Sequence, residues 1–183
     1  MKKNKYRSLK IIGAAALFYF LFVRARTAPA VELTEEDIKA ALKKIYDEYG
    51  REKTTKLESL FRNESGHFRS GQFKGTFSPG MEIAPQTNTI FPFGWTLLKQ
   101  FADNNNIAYN KFYASQNYRE GGTGIPKKFV GFPDLYTAMK FVMFTIERRN
   151  WNFGKWKSFN EQQAANYNAY IDRIRTPYTN SFT

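Results

Sequence analysis

Glu64, in the stretch LFRNESGHF, is the residue best placed to do chemistry. Leu57, Leu60 and Phe61 recur at helical spacing, and Glu64 continues that stripe at i+7 from Leu57 and i+4 from Leu60. A carboxyl group on the buried face at the end of a helix loses solvation and meets the negative end of the helix dipole. Both effects disfavour its charged form. A carboxylic acid that holds its proton is what protonation of a leaving group requires. A helix-ending glutamate that points to water has the same signature, and periodicity alone leaves both readings open. Ser65 follows directly, and Gly66 lets the chain turn away sharply and leave Glu64 facing a cleft.

The remaining inventory excludes several chemistries. There is no cysteine, so disulfides, thiolate metal sites and cysteine nucleophiles are ruled out. His67 is the single histidine, so a two-histidine zinc motif cannot form, and neither metal catalysis nor a cofactor is expected. His67 itself reads as a loop residue or a sugar contact. No phosphate-binding loop or dinucleotide fingerprint occurs. Glu82, in SPGMEIAP, is the nearest downstream acid that would serve as a second carboxylate, and Asp103 is further off. Aromatic residues make up 17% of the chain, many of them in polar, glycine-rich surroundings that suit a sugar-binding cleft. For any one ring, a place in the core competes with that reading.

The elements that must position Glu64 follow from periodicity and punctuation. TEED predicts a helix starting at Thr34, with Ile38, Leu42, Ile45 and Tyr49 on one face and Gly50 as its stop. A second helix runs from about Glu52 to Asn63. The next thirty residues are rich in Gly, Pro, Ser and Thr and read as loops with a short hairpin. A short helix follows Gly94, with Trp95, Leu98 and Phe101 on one side. Residues 104–126 read as irregular. A strong helix begins near Asp134, striped by Leu135, Ala138, Met139, Val142, Met143 and Ile146. The last helix is predicted from Ser158, with Glu161 completing a capping box and Tyr167, Ile171 and Ile174 inside; Thr176-Pro177 ends it.

Residues 1–30 form a separate unit. The bases Lys2, Lys3, Lys5, Arg7, Lys10, Arg24 and Arg26 fall in the first 26 residues without an acid. They supply +7 of the formal +12, leaving 21 bases against 16 acids, or +5, for the rest. The apolar run Ile11–Val23 has 13 residues. A full membrane span needs ~20, so an anchor here relies on Lys10 and Arg24 snorkelling. Ala28-Pro29-Ala30 offers a signal-peptide cleavage site as the alternative. Either way, residues 31–183 are exported as one domain, with the basic N-terminus on the cytoplasmic side.

NESGHF resembles the Glu-Ser motif of lytic transglycosylases, in the lysozyme-like superfamily, where the glutamate closes a helix. AANYNAYI supplies Tyr167-Asn168 in the place of that family's Tyr-Asn motif on a later helix. PFGWTLL, with Gly94 and Trp95, stands where a glycine-centred cleft motif is expected, but departs from its Gly-Leu-Met-Gln form. RNWNFGKWKSFNEQQAANYNAYI is similar to the C-terminal part of phage and bacterial wall-degrading domains. The resemblance spans roughly residues 50–175.

The resemblance implies a mainly α, lysozyme-like (α+β) domain with long loops around a cleft. It implies that Glu64 cleaves the bond between N-acetylmuramic acid and N-acetylglucosamine in peptidoglycan strands, without metal or cofactor. Ser65 would orient Glu64 or the substrate's acetamido group, Tyr167 would act from across the cleft, and Gly94, Trp95 and Asn168 would contact substrate. A hydrolysing muramidase that uses Glu82 as a second carboxylate and a non-catalytic wall-binding protein are the competing functions. A nucleic-acid partner is not expected, because half the excess charge lies in the N-terminal segment and no recognition module occurs. The expected location is a membrane, with the domain on the wall side, in a bacterial envelope or a phage virion.

Overall fold

The computed structural model describes residues 32–83, 95–115, 118–119 and 126–183. The helices are α1 (Glu35–Tyr49), α2 (Arg51–Glu64), α3 (Gly71–Thr76), α4 (Trp95–Asn104), α5 (Leu135–Glu147), α6 (Glu161–Ile171) and α7 (Pro177–Asn180). Short 3-10 turns occupy Tyr109–Lys111 and Phe153–Trp156. Four short strands, β1 (Glu82–Ile83), β2 (Tyr113–Ala114), β3 (Tyr118–Arg119) and β4 (Pro126–Gly131), complete a mainly helical fold.

Thr34 starts α1 by a capping box. Its hydroxyl accepts from Asp37 N at 3.1 Å, and the Asp37 carboxylate accepts from Thr34 N at 3.0 Å. Ile38, Leu42 and Ile45 are buried along it. Gly50, at φ +80°, breaks the chain between α1 and α2, a conformation open to glycine and strained for other residues. α2 extends one residue further at each end than its pattern predicts, so Glu64 is its last helical residue. α1 and α2 pack on α5, where Ala138, Met139, Phe141, Val142, Met143 and Ile146 are fully buried. The Asp134 side chain caps α5 by accepting from Thr137 N at 2.7 Å.

The stretches read as loops hold more order than expected. α3 forms despite two glycines in six residues, because the Ser70 side chain caps it and Phe73 is buried among Phe61, Phe68 and Phe77. β1 does not form a local hairpin. It pairs antiparallel with β4, Glu82 opposite Phe129 and Ile83 opposite Lys128. β2 and β3 also pair with β4, so β4 organises the whole sheet. A two-residue strand has no room for alternation, so only its distant partner defines it.

The C-terminal part departs from its prediction at both ends of α6. The helix starts at Glu161, where the Asn160 side chain, rather than Ser158, accepts from Gln163 N at 3.0 Å. It ends at Ile171, where Ile174 N returns to Ile171 O in a tight turn. Pro177 does not close α6; it takes the first position of α7, where no amide hydrogen is needed. Gly154 lies hard against α6. A Cβ there would stand 1.9 Å from the Ala164 carbonyl oxygen, so only a glycine lets the 3-10 turn and the helix approach this closely.

A buried carboxylate that periodicity does not single out ties α7 to α2. Glu58 is fully buried. It accepts from Thr179 N at 2.8 Å, Thr179 Oγ1 at 2.7 Å and Tyr178 N at 3.3 Å, and pairs with Arg62 Nε at 2.8 Å. The Arg62 guanidinium lies over the Tyr178 ring, 4.7 Å from its centre. The N-terminal apolar segment lies outside the described residues. Among the described residues no helix is long and apolar enough to cross a membrane.

Candidate functional site

Glu64 stands where α2 turns back. Ser65 N bonds Phe61 O, and His67 N bonds Arg62 O at 2.7 Å across Gly66, whose φ is +58°. This is the left-handed helix closure that the glycine predicts. His67 and Phe68 continue in the left-handed region at φ +58° and +66°. Packing holds that strain in place: the buried Phe68 ring lies against Phe61 and Phe73. Ser65 is fully buried, and its hydroxyl is used within the turn. It donates to Phe61 O and accepts from Phe68 N at 2.7 Å. Both of these bonds go to backbone, so the structure places Ser65 in the turn that presents Glu64.

Tyr167 reaches Glu64 from α6. Its hydroxyl donates to Glu64 Oε1 at 2.6 Å. Asn63 Nδ2 donates to the same oxygen at 3.0 Å and approaches Tyr167 OH at 3.3 Å. Burial, and then the adjacent Glu64 carboxylate, push the Tyr167 phenol far above its ordinary range, so it remains a donor throughout the working pH range. Glu64 is half-buried, as the end of the apolar stripe predicts, whereas Tyr167 is 8% exposed.

The other carboxylate oxygen faces a glycine loop. A Cβ at Gly80 would lie 3.4 Å from Glu64 Oε2, and Gly80 itself is left-handed at φ +83°. Trp156 Nε1 donates to Pro79 O at 3.2 Å, and Met81 N donates to Ser78 Oγ at 2.9 Å, so the loop is pinned from both sides. Among the described residues, no donor reaches Oε2. Gly80 was not singled out from the sequence, although SPG is a turn signal. Gly94 lies outside the described residues. Trp95 opens α4, and its side chain lies outside the described residues too.

The remaining predicted residues are accounted for in other ways. Asn168 Nδ2 donates to Asn152 Oδ1 at 2.8 Å, and Asn152 Oδ1 also accepts from Gly154 N at 3.0 Å. Asn168 thus ties α6 to the 3-10 turn, and among the described residues it makes no hydrogen bond to Glu64. Glu82 is half-buried on β1 and pairs with Lys127 at 3.0 Å. Asp103 is exposed and pairs with Lys99 at 2.7 Å. His67 is exposed on the turn. A separate surface groove of about 550 Å³ runs along the other end of α2, between Arg51, Thr55 and Ser59 on one side and Ile174 and Thr176 on the other. Glu64 does not line it.

The site therefore offers one carboxyl group with two donors on one oxygen and a glycine, Gly80, facing the other. That arrangement suits delivery and recovery of a proton. Comparison of the chain with protein families, with curated proteins and with solved structures gave no match.

Proposed function

We propose that the protein is a peptidoglycan lytic transglycosylase with Glu64 as its single catalytic carboxyl, in a lysozyme-like helical domain. The observation that carries the reading is the bond from Tyr167, on α6, to the carboxyl group that ends α2. Two residues far apart in the chain, each picked out by its motif, meet at one carboxylate oxygen.

In the proposed reaction, Glu64 gives its proton to the bridging oxygen as the bond from muramyl C1 to that oxygen breaks. The substrate's acetamido group shares the positive charge at C1. The ionised Glu64 then takes the proton of the muramyl 6-hydroxyl as that oxygen bonds C1. Glu64 ends in its starting form, no water is consumed, and the product is a 1,6-anhydromuramyl sugar. Tyr167 and Asn63 stabilise the charge while it resides on the carboxylate.

Hydrolysis is the second reading. Glu82 follows Gly80 by two residues on the segment beside Glu64, although its carboxylate is engaged by Lys127. Mass spectrometry of digested peptidoglycan separates the two. Anhydromuramyl ends are expected; reducing muramyl ends, heavier by one water, would transfer the assignment to a hydrolase and give Glu82 the second role. A properly folded wild-type chain that releases neither product but sediments with peptidoglycan would be a wall-binding protein.

The N-terminal segment would hold this domain at a membrane, on the wall side, with five bases before the apolar run and two after it. Fractionation of the full chain from its native source is expected to recover it with membranes. Mature protein starting near Val31 in the soluble fraction would make the segment a signal peptide and leave the catalytic reading intact.

A further inference from the structure

We propose that Asn63 is a positioning residue that selects Oε2 of Glu64 as the oxygen that delivers the proton. The inference rests on the reading of Glu64 as general acid. A protonated carboxyl group carries its hydrogen on one oxygen only. Oε1 already receives the Tyr167 hydroxyl at 2.6 Å and the Asn63 amide at 3.0 Å. A proton placed on Oε1 would confront two hydrogens directed at it. On Oε2 it meets no competing donor among the described residues, and it lies on the face of Gly80 that carries no side chain.

The orientation of the Asn63 amide follows from its partner. Its oxygen, turned towards Oε1, would set two acceptors against each other, so the NH₂ group must face the carboxylate. Asn63 also lies 3.3 Å from the Tyr167 oxygen. By donating there as well, it fills an acceptor site on the phenol and leaves the phenolic hydrogen directed at Glu64. Tyr167 and Asn63 thus lock each other as well as the acid.

The contact is not a by-product of the helix. Adjacent residues on a helix diverge by about 100° and do not face each other. Asn63 and Glu64 meet because both side chains lean over the end of α2 towards Tyr167. As the proton leaves Oε2, the developing charge spreads to Oε1, where both donors are already in place. The same geometry returns Oε2 to the position needed to accept the second proton.

Two near-isosteric variants test this. Asn63→Leu keeps the bulk and removes the donor; Asn63→Asp keeps the shape and replaces the donor with an acceptor. Each is expected to lower kcat on purified peptidoglycan at least about 10-fold with KM nearly unchanged, the pattern of an interaction made in the transition state. Tyr167→Phe is expected to lose activity similarly. The Asn63→Leu/Tyr167→Phe double variant should lose less than the product of the two single losses, because both act through Oε1. In a crystal structure of Asn63→Leu, Glu64 should occupy more than one rotamer while Tyr167 stays in place. Wild-type kcat in both Asn63 variants, or a single unchanged Glu64 rotamer in Asn63→Leu, overturns the proposal. A folded wild-type chain inactive on peptidoglycan overturns the general-acid reading instead, and with it the proton assignment; the rotamer measurement then still decides whether Asn63 orients Glu64.

Discussion

Glu64→Gln is expected to abolish cleavage of peptidoglycan while the protein stays folded. Glutamine keeps the shape of the side chain, and its amide oxygen can still accept from Tyr167 and Asn63, so the end of α2 retains its contacts. What disappears is a transferable proton. General acid–base catalysis contributes ~10²–10⁴ in rate, and here one group serves both proton transfers, so the loss should lie at the upper end of that range. Release of soluble muropeptides measures activity, and circular dichroism through thermal unfolding checks the fold. Near-wild-type turnover with an unchanged melting curve would remove Glu64 from the mechanism.

The largest effect on stability is expected from Glu58→Ala. The carboxylate is fully buried and holds Arg62, both backbone amides at Tyr178 and Thr179, and the Thr179 hydroxyl. Truncation leaves a largely buried guanidinium without its counter-charge and removes the acceptor that caps α7. Breaking a buried ion pair from one side typically costs about 3–5 kcal/mol. Urea unfolding should show a loss of that order. A change below about 1 kcal/mol would mean that α7 is held by packing alone. Because Glu58 lies on the inner face of α2, about two turns before Glu64, folded Glu58→Ala protein should keep the proposed activity on peptidoglycan at temperatures well below its transition.

The parts of the structure legible in the sequence are those with dense local signals. The Thr34 capping box and the Asp134 cap lie within three residues of the groups they satisfy, and the α5 stripe repeats over several turns. Glu64 was legible because it interrupts a pattern, and Tyr167 because the residue beside it completes a motif. Asn63 was not, since a polar residue at a helix end carries no signal until Tyr167 is placed against it. Gly80 was hidden in the same way: its φ was foreseeable from the turn, but not the carboxylate beside it. β1, β2 and β3 are each two residues long and exist only as partners of β4. The boundaries of α6 were misread because competing local signals took over: Asn160 caps the helix while Ser158 bonds the side chain of Gln163, and Pro177 starts the next helix.

The bond from Thr179 to Glu58 spans 121 residues, and this has a consequence for how the chain comes into being. During synthesis α2 emerges long before its partner segment. Until residues 178 and 179 arrive, docking α2 would bury Glu58 without most of its hydrogen bonds, which opposes premature collapse around that helix. The acid at Glu64 is then assembled only after most of the described sequence has been made. For the exported wall-cleaving protein proposed above, the contact between Glu64 and Tyr167 would then come together only after the C-terminal segment has been delivered, on the side where the wall is.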